Sequence, residues 1–164
     1  VDLPSQGRFY PEGHPLHNQT SVEIKQMTAK EEDILTSRSL LKKGVAIEKL
    51  IQSLIVNKGI DSSTLLMGDR NAIIISARVS GYGHEYTTSV VCPACQTKQK
   101  YSFDLNRANI VHGDFSESLQ VTNNGDGTFT CVLPKTEVTV VARLLTGREE
   151  AKTSNLTKSD NLIS

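Results

Sequence analysis

The sequence predicts an α+β protein: a helical N-terminal part followed by a small antiparallel β-rich part with a Cys-x-x-Cys hairpin, zinc-ribbon-like in plan. Three observations lead there. Ile47, Leu50, Ile51, Leu54 and Ile55 recur with a helical period, whereas from His84 onward the apolar period falls to two. Gly81-Tyr82-Gly83 separates the two regimes, and Cys92 and Cys95 sit at ligand spacing between two alternating runs. The expected organisation is an extended arm and short strand over 1–27, a helical part over 28–83, a β-rich part with the Cys-x-x-Cys knuckle over 84–145, and the start of a further helical segment, cut short, over 146–164.

Taken in order, Val1–Thr20 holds three of the five prolines together with Gly7 and Gly13, which leaves little regular structure. Leu3, Phe9 and Tyr10 are apolar enough to anchor such an arm on its own domain or on a neighbouring subunit. His14 and His17 read as solvated loop histidines. Ser21–Met27 alternates as a short strand does, and Thr28 with Glu31 has the spacing of a capping box, so a helix with an acidic first turn begins there. The apolar stripe then places a helix over Val45–Val56, closed by Asn57-Lys58-Gly59.

Asp61-Ser62-Ser63 caps a further turn, and Asp69 offers a cap for Arg70–Val79. Ile73-Ile74-Ile75 has no decisive period, but the room between Asp69 and Gly81 favours a helix. Arg70 and Arg78 project from it as surface arginines, where they could meet a partner's carboxylates. Beyond His84, Tyr86, Thr88 and Val90 alternate on one face, as do Tyr101, Phe103 and Leu105. Leu119 with Val121, Phe129 with Cys131 and Leu133, and Val138 with Val140 supply three more strands. Asn123-Asn124-Gly125-Asp126-Gly127 makes a turn between the first two. That turn is no calcium loop, because Leu133 falls where the last, acidic ligand is required. Thr146 and Glu149 repeat the capping-box spacing, with little beyond it to bury: Leu156, Leu162 and Ile163 lie among polar residues.

Composition removes several functions. Lysine plus arginine and aspartate plus glutamate number 18 each in 164 residues, so no long-range field draws the chain to nucleic acid or an anionic membrane. Aromatic content of 5%, with no tryptophan, gives few platforms for stacked bases. No apolar run approaches the roughly 18 residues of a membrane span, and Val1–Tyr10 lacks the plan of a signal peptide. Three cysteines cannot all pair, which suits a reducing compartment. No phosphate loop, serine nucleophile elbow or zinc-protease motif occurs, so nothing points to an enzyme.

The Cys-x-x-Cys is the one place where spacing suggests chemistry. Cys92 and Cys95 supply two of the four ligands of a structural zinc ion. Cys131 faces with Phe129 and Leu133 as a buried thiol, and His84 and His112 are further candidates without a paired knuckle. A thioredoxin-like thiol would need a helix N-terminus, which a strand running into Pro93 does not give. A zinc site or its vestige, an ordinary reduced turn and a redox pair all stay open.

Several stretches together resemble a known family. Leu3-Pro4-Ser5-x-Gly7-x-Phe9-Tyr10, Met27-Thr28-x-x-Glu31-Glu32, Gly68-Asp69-Arg70 with its apolar helix, Ser80-x-Tyr82-Gly83 and Cys92-Pro93-x-Cys95 occur in that order. They are similar to the baseplate hub proteins of contractile-tailed bacteriophages, the T-even baseplate hub assembly family. The likeness runs from about Leu3 to Leu105 and more loosely to Thr146. It implies a non-enzymatic subunit or assembly factor of a tail baseplate. Its expected partners are other baseplate and tail proteins in several symmetric copies, and its expected place is the virion, after the host cytoplasm during assembly. It also implies a second Cys-x-x-Cys further along the family's chain, completing a zinc site, which this sequence does not contain. The alternative from another class is a zinc-ribbon-like binding module for protein or nucleic acid; a third is a thiol oxidoreductase.

Overall fold

The computed structural model describes residues 1–110, 121–150 and 152. Four helices come first, α1 (Ala29–Thr36), α2 (Arg38–Lys43), α3 (Ala46–Leu54) and α4 (Met67–Tyr82). They are followed by an antiparallel pair, β1 (Glu85–Val91) with β2 (Lys98–Asp104), and by β3 (Val121–Asn123), β4 (Thr128–Val132) and β5 (Thr139–Arg143) in a three-stranded antiparallel sheet of that order. Helices then antiparallel sheets is the expected α+β order. The zinc-ribbon-like detail is not supported: Cys92 and Cys95 merely lie near each other in the turn between β1 and β2.

The core is built on α3. Ala46, Leu50, Ile51 and Leu54 are its buried face; Ile51 packs in one cluster with Ile73 of α4, and Leu50 and Leu54 in another with Ala77. Each large side chain taken out of water here stabilises the fold by about 1.5–3 kcal/mol. Ile47 departs from the expected stripe. The face begins at Ala46, and Ile47 instead lines a cleft of about 190 Å³ with Met67, Arg70 and Ile74. The Ile73 run is helical as expected, with Ile73 alone fully buried.

Ser21–Met27 does not form the expected strand. Its backbone divides its bonds between two neighbours: Val22 N–H donates to Val1 O, Lys25 N–H donates to Leu54 O, and Val56 N–H donates to Glu23 O. Single bridges result, at Asp2 with Ser21 and at Ile24 with Ile55, rather than a ladder. Thr28 and Glu31 do form a capping box at the start of α1. Asp61 accepts from Ser63 N–H and opens the short 3-10 turn Ser62–Thr64. Asp69 is not a cap. Leu66 holds that position and α4 starts at Met67, so Asp69 lies inside the first helical turn.

The three-stranded sheet is held to the helical part through the arm and through the segment that follows β5. The Phe9 and Phe129 rings pack at 5.6 Å, and Met67 N–H and Gly147 N–H donate to Leu145 O and Leu65 O. The Asn123 side chain accepts from Gly125 N–H within the 123–127 turn, and Asp126 accepts from Thr128 N–H at the start of β4, as the composition predicts. Gly127 has a φ of +85°, and a Cβ there would stand 2.8 Å from the backbone oxygen of Phe9. Gly127→Ala is therefore expected to cost about 1–3 kcal/mol of stability, measured by urea unfolding, because the conformation is strained and backbone must shift. A loss no larger than that of an exposed substitution would contradict this close approach of sheet and arm.

The second capping box is present as well: Thr146 N–H and Oγ1 both bond to Glu149 Oε2, and residues 147–150 are helical. Leu119, Leu156, Leu162 and Ile163 lie outside the described residues. No helix among the described residues is long and apolar enough to cross a membrane.

Candidate functional site

The arm carries the first group of expected site residues. Leu3 and Tyr10 are each 2% exposed, so both are buried in this chain's own core with Leu16 and Val22. Of the two destinations open to these anchors, the chain's own domain or a neighbouring subunit, Leu3 and Tyr10 take the first. Phe9 is half-buried against Phe129.

What fixes the arm is a buried polar cluster that local spacing did not reveal. Asp69, with no exposure at all, accepts from Ser5 N–H at 3.0 Å, Ser5 Oγ at 2.6 Å and Tyr10 Oη at 2.7 Å. The Tyr10 hydroxyl in turn accepts from Leu66 N–H at 3.1 Å, satisfying a backbone donor at the start of α4. Burial, with the Asp69 carboxylate beside it, pushes the Tyr10 phenol well above its usual range. The cluster is structural, since its donors and acceptors are matched to one another.

His14 and His17 are likewise bound rather than solvated. His14 Nδ1 accepts from Leu16 N–H at 3.1 Å, so its Nε2–H donates to Thr64 Oγ1 at 2.9 Å, and the ring stacks on Tyr10. Burial lowers the His14 pKa, consistent with a neutral ring. His17 Nδ1 donates to Tyr10 O at 2.7 Å.

The two arginines of α4 do not share a partner-facing side. Arg70 is 5% exposed beneath the turn at Gly147, with Nη2 at 3.4 Å from Glu150 and Nη1 without a hydrogen-bond partner. Arg78 instead ties the end of α4 to β1. It donates to Gly83 O at 3.0 Å and Glu85 O at 3.4 Å, with its guanidinium over the Tyr82 ring.

At the turn between β1 and β2, Cys92 N–H donates to Thr97 O and the Cys95 thiol lies 3.3 Å from Thr97 Oγ1. Hydrogen bonds from Thr97 and Cys92 lower the Cys95 pKa. Among the described residues, no group of three or more histidine, cysteine, aspartate or glutamate side chains could hold a metal ion. The two thiols therefore do not by themselves fit a structural zinc ion, which takes four ligands. Cys131 sits on β4 opposite Val121 and Val140, and His112 lies outside the described residues.

Among the described residues, the β1–β2 pair carries an exposed face. Tyr86 opposes Phe103 and Thr88 opposes Tyr101, so one face carries Tyr86, Thr88, Val90, Gln99, Tyr101 and Phe103 without a charge. The other face carries Glu85, Lys98, Lys100 and Asp104 and is tied by Thr87 Oγ1 to Ser102 Oγ and by Ser102 Oγ to Glu85. Tyr101 and Phe103 touch edge to face at 4.7 Å, yet they stay 52% and 42% exposed, and every residue of β2 is exposed. A second apolar feature is a groove of about 590 Å³ between Val1 and Pro4 of the arm, Ile75 and Val79 of α4, and Ala108 and Ile110.

Buried polar atoms fix the arm, and one face of β1–β2 stays exposed. The chain belongs to the T4 bacteriophage base plate protein family, whose model matches residues 2–163. It is thus a structural protein of a phage baseplate, placed in the virion tail among other tail proteins. No curated protein and no solved structure matches it.

Proposed function

We propose that the chain is a structural or assembly subunit of the hub region of the baseplate and acts by protein–protein docking. The observation that carries this reading is the uncovered aromatic face of β1–β2. A two-stranded sheet alone is marginal in water, and three or more strands or a packed neighbour are needed for lasting order. An apolar, uncharged face rimmed by polar residues is the kind of surface a partner covers. With Leu3 and Tyr10 committed to the core, Tyr86, Tyr101 and Phe103 replace them as docking residues.

The test is incorporation. The double variant Tyr101→Ser/Phe103→Ser should keep a thermal midpoint close to that of the wild type, because neither side chain belongs to the core. Its co-purification with hub proteins in an assembly reaction should fall at least tenfold, the loss expected when two aromatic anchors of an interface are removed. Incorporation at the wild-type level would contradict docking through this face.

A further inference from the structure

We infer that the free edge of β2 pairs with the β2 edge of a second copy of this chain, joining two β1–β2 pairs into one four-stranded antiparallel sheet. This inference deepens the docking reading and rests on it for the use the dimer is put to; the pairing itself is argued from the edge alone.

The two ends of the β1–β2 ladder fix which backbone groups are free. Cys92 N–H donates to Thr97 O at one end, and Leu105 N–H donates to His84 O at the other. Bonded and non-bonded pairs alternate in an antiparallel ladder. With the constant register between these ends, Gln99, Tyr101 and Phe103 turn their backbone groups toward β1. Lys98, Lys100, Ser102 and Asp104 therefore point theirs outward, where every residue of the strand is exposed. Among the described residues these donors and acceptors are unmet, and such a row is a template for another strand. The opposite edge is less open, because Arg78 already donates to the outward Glu85 O.

The side chains on that edge favour a second copy. If a two-fold axis passes through Tyr101, Lys98 of one copy faces Asp104 of the other at both ends, and Lys100 faces Ser102. The whole of Lys98–Asp104 is then paired. All the outward backbone groups meet partners, since Lys98, Lys100, Ser102 and Asp104 fall in the bonded positions of the new ladder. Tyr101 meets its own counterpart in a non-bonded position, where side chains come closest. Moving the axis to Lys100 would oppose lysine to lysine, and moving it to Gln99 would oppose Lys98 to Lys100. Moving it to Ser102 would oppose Lys100 to Asp104 but put Lys98 opposite Asn106, beyond the strand. Charge together with full pairing of Lys98–Asp104 thus selects the register, and the two aromatic faces become one surface for the docking proposed above.

The experiment uses the full chain and measures its mass in solution by sedimentation equilibrium. The wild type should form a dimer. Lys98→Asp alone, or Asp104→Lys alone, opposes like charges at both ends and should weaken dimerisation about tenfold. The double variant Lys98→Asp/Asp104→Lys should restore it, and the two single variants mixed should form a mixed dimer. A separate variant, Ser102→Pro, removes an outward N–H while leaving the β1 ladder its bonds, and should be monomeric with its circular dichroism kept. A wild-type chain that stays monomeric, or a double variant no better than the singles, would overturn the pairing. Either result would leave the docking reading standing if the aromatic face still governs incorporation, so the two failures are distinguishable.

Discussion

Asp69→Ala is expected to lower the free energy of unfolding by about 3–5 kcal/mol, the largest single effect of any polar substitution in the described residues. The carboxylate is fully buried and takes three hydrogen bonds, from Ser5 N–H, Ser5 Oγ and Tyr10 Oη. Removing it leaves those donors buried without acceptors, and each costs about 1–3 kcal/mol. Asp69→Asn keeps the shape but turns an amide donor toward one of them, so its loss should be intermediate. Tyr10→Phe should cost about 1–2 kcal/mol, since it strands Leu66 N–H as well as losing the bond to Asp69. Urea unfolding followed by circular dichroism gives all three. A loss below about 1 kcal/mol for Asp69→Ala would show that the arm is not held by this cluster. The consequence also reaches function, because the arm carries Phe9, against which Phe129 and the three-stranded sheet are packed.

The second large effect is expected at Glu31. Its side chain is fully buried, yet it takes bonds from Lys25 Nζ at 2.7 Å, Ser53 Oγ at 2.6 Å and Thr28 N–H at 3.0 Å, together with Thr28 Oγ1. One residue thus caps α1 and fastens it to α3. The Lys25 ammonium, followed by the Ser53 and Thr28 hydroxyls, holds its carboxyl far below the usual range. A pKa depressed in the folded state means that the unfolded chain takes up the proton first as pH falls. The stability Glu31 contributes is therefore complete above its ordinary pKa of 4.5 and is lost progressively below it. Glu31→Gln should cost about 2–3 kcal/mol at pH 7 and much less at pH 3, since below its ordinary pKa the wild type keeps its charge-assisted bonds only by releasing a proton that the unfolded chain holds. Thermal midpoints of both proteins between pH 3 and pH 7 should converge in acid. Parallel curves would show that the depressed pKa does not stabilise this junction.

These residues also mark how far the chain could be read without its fold. Short-range rules carried well. The Ala46–Leu54 helix follows from its period, and both capping boxes follow from a spacing of three residues between hydroxyl and carboxylate. The 123–127 turn follows from its asparagines and glycines. The strand alternation on either side of Cys92 was legible too. What was not legible is pairing across long separations. Asp69 meets Ser5 and Tyr10 at 64 and 59 positions away, and nothing in the local pattern distinguishes it from a helix cap. Arg70 resembles a surface residue in its local pattern for the same reason, its cover coming from the turn at Gly147. Leu3 and Tyr10 were legible as anchors but not in their destination, since an apolar residue on an irregular arm fits its own core or a neighbour's equally well.

Two thiols at ligand spacing mark a turn, but a metal site is set by the donors that other elements bring to it. The aromatic face of β1–β2 has the opposite status. Its residues were visible as an alternating pattern, while its exposure is a property of the three-dimensional arrangement alone.

The central claim is that this face is covered in the baseplate. Hydrogen–deuterium exchange of the amides between Glu85 and Asp104, compared in the isolated chain and in the assembled particle, tests it most directly. Slowing of exchange across β1 and β2 on assembly, with the already buried α3 unchanged, is the predicted result. Equal exchange in both states would mean that the face stays open to water in the virion, and docking through it would have to be abandoned.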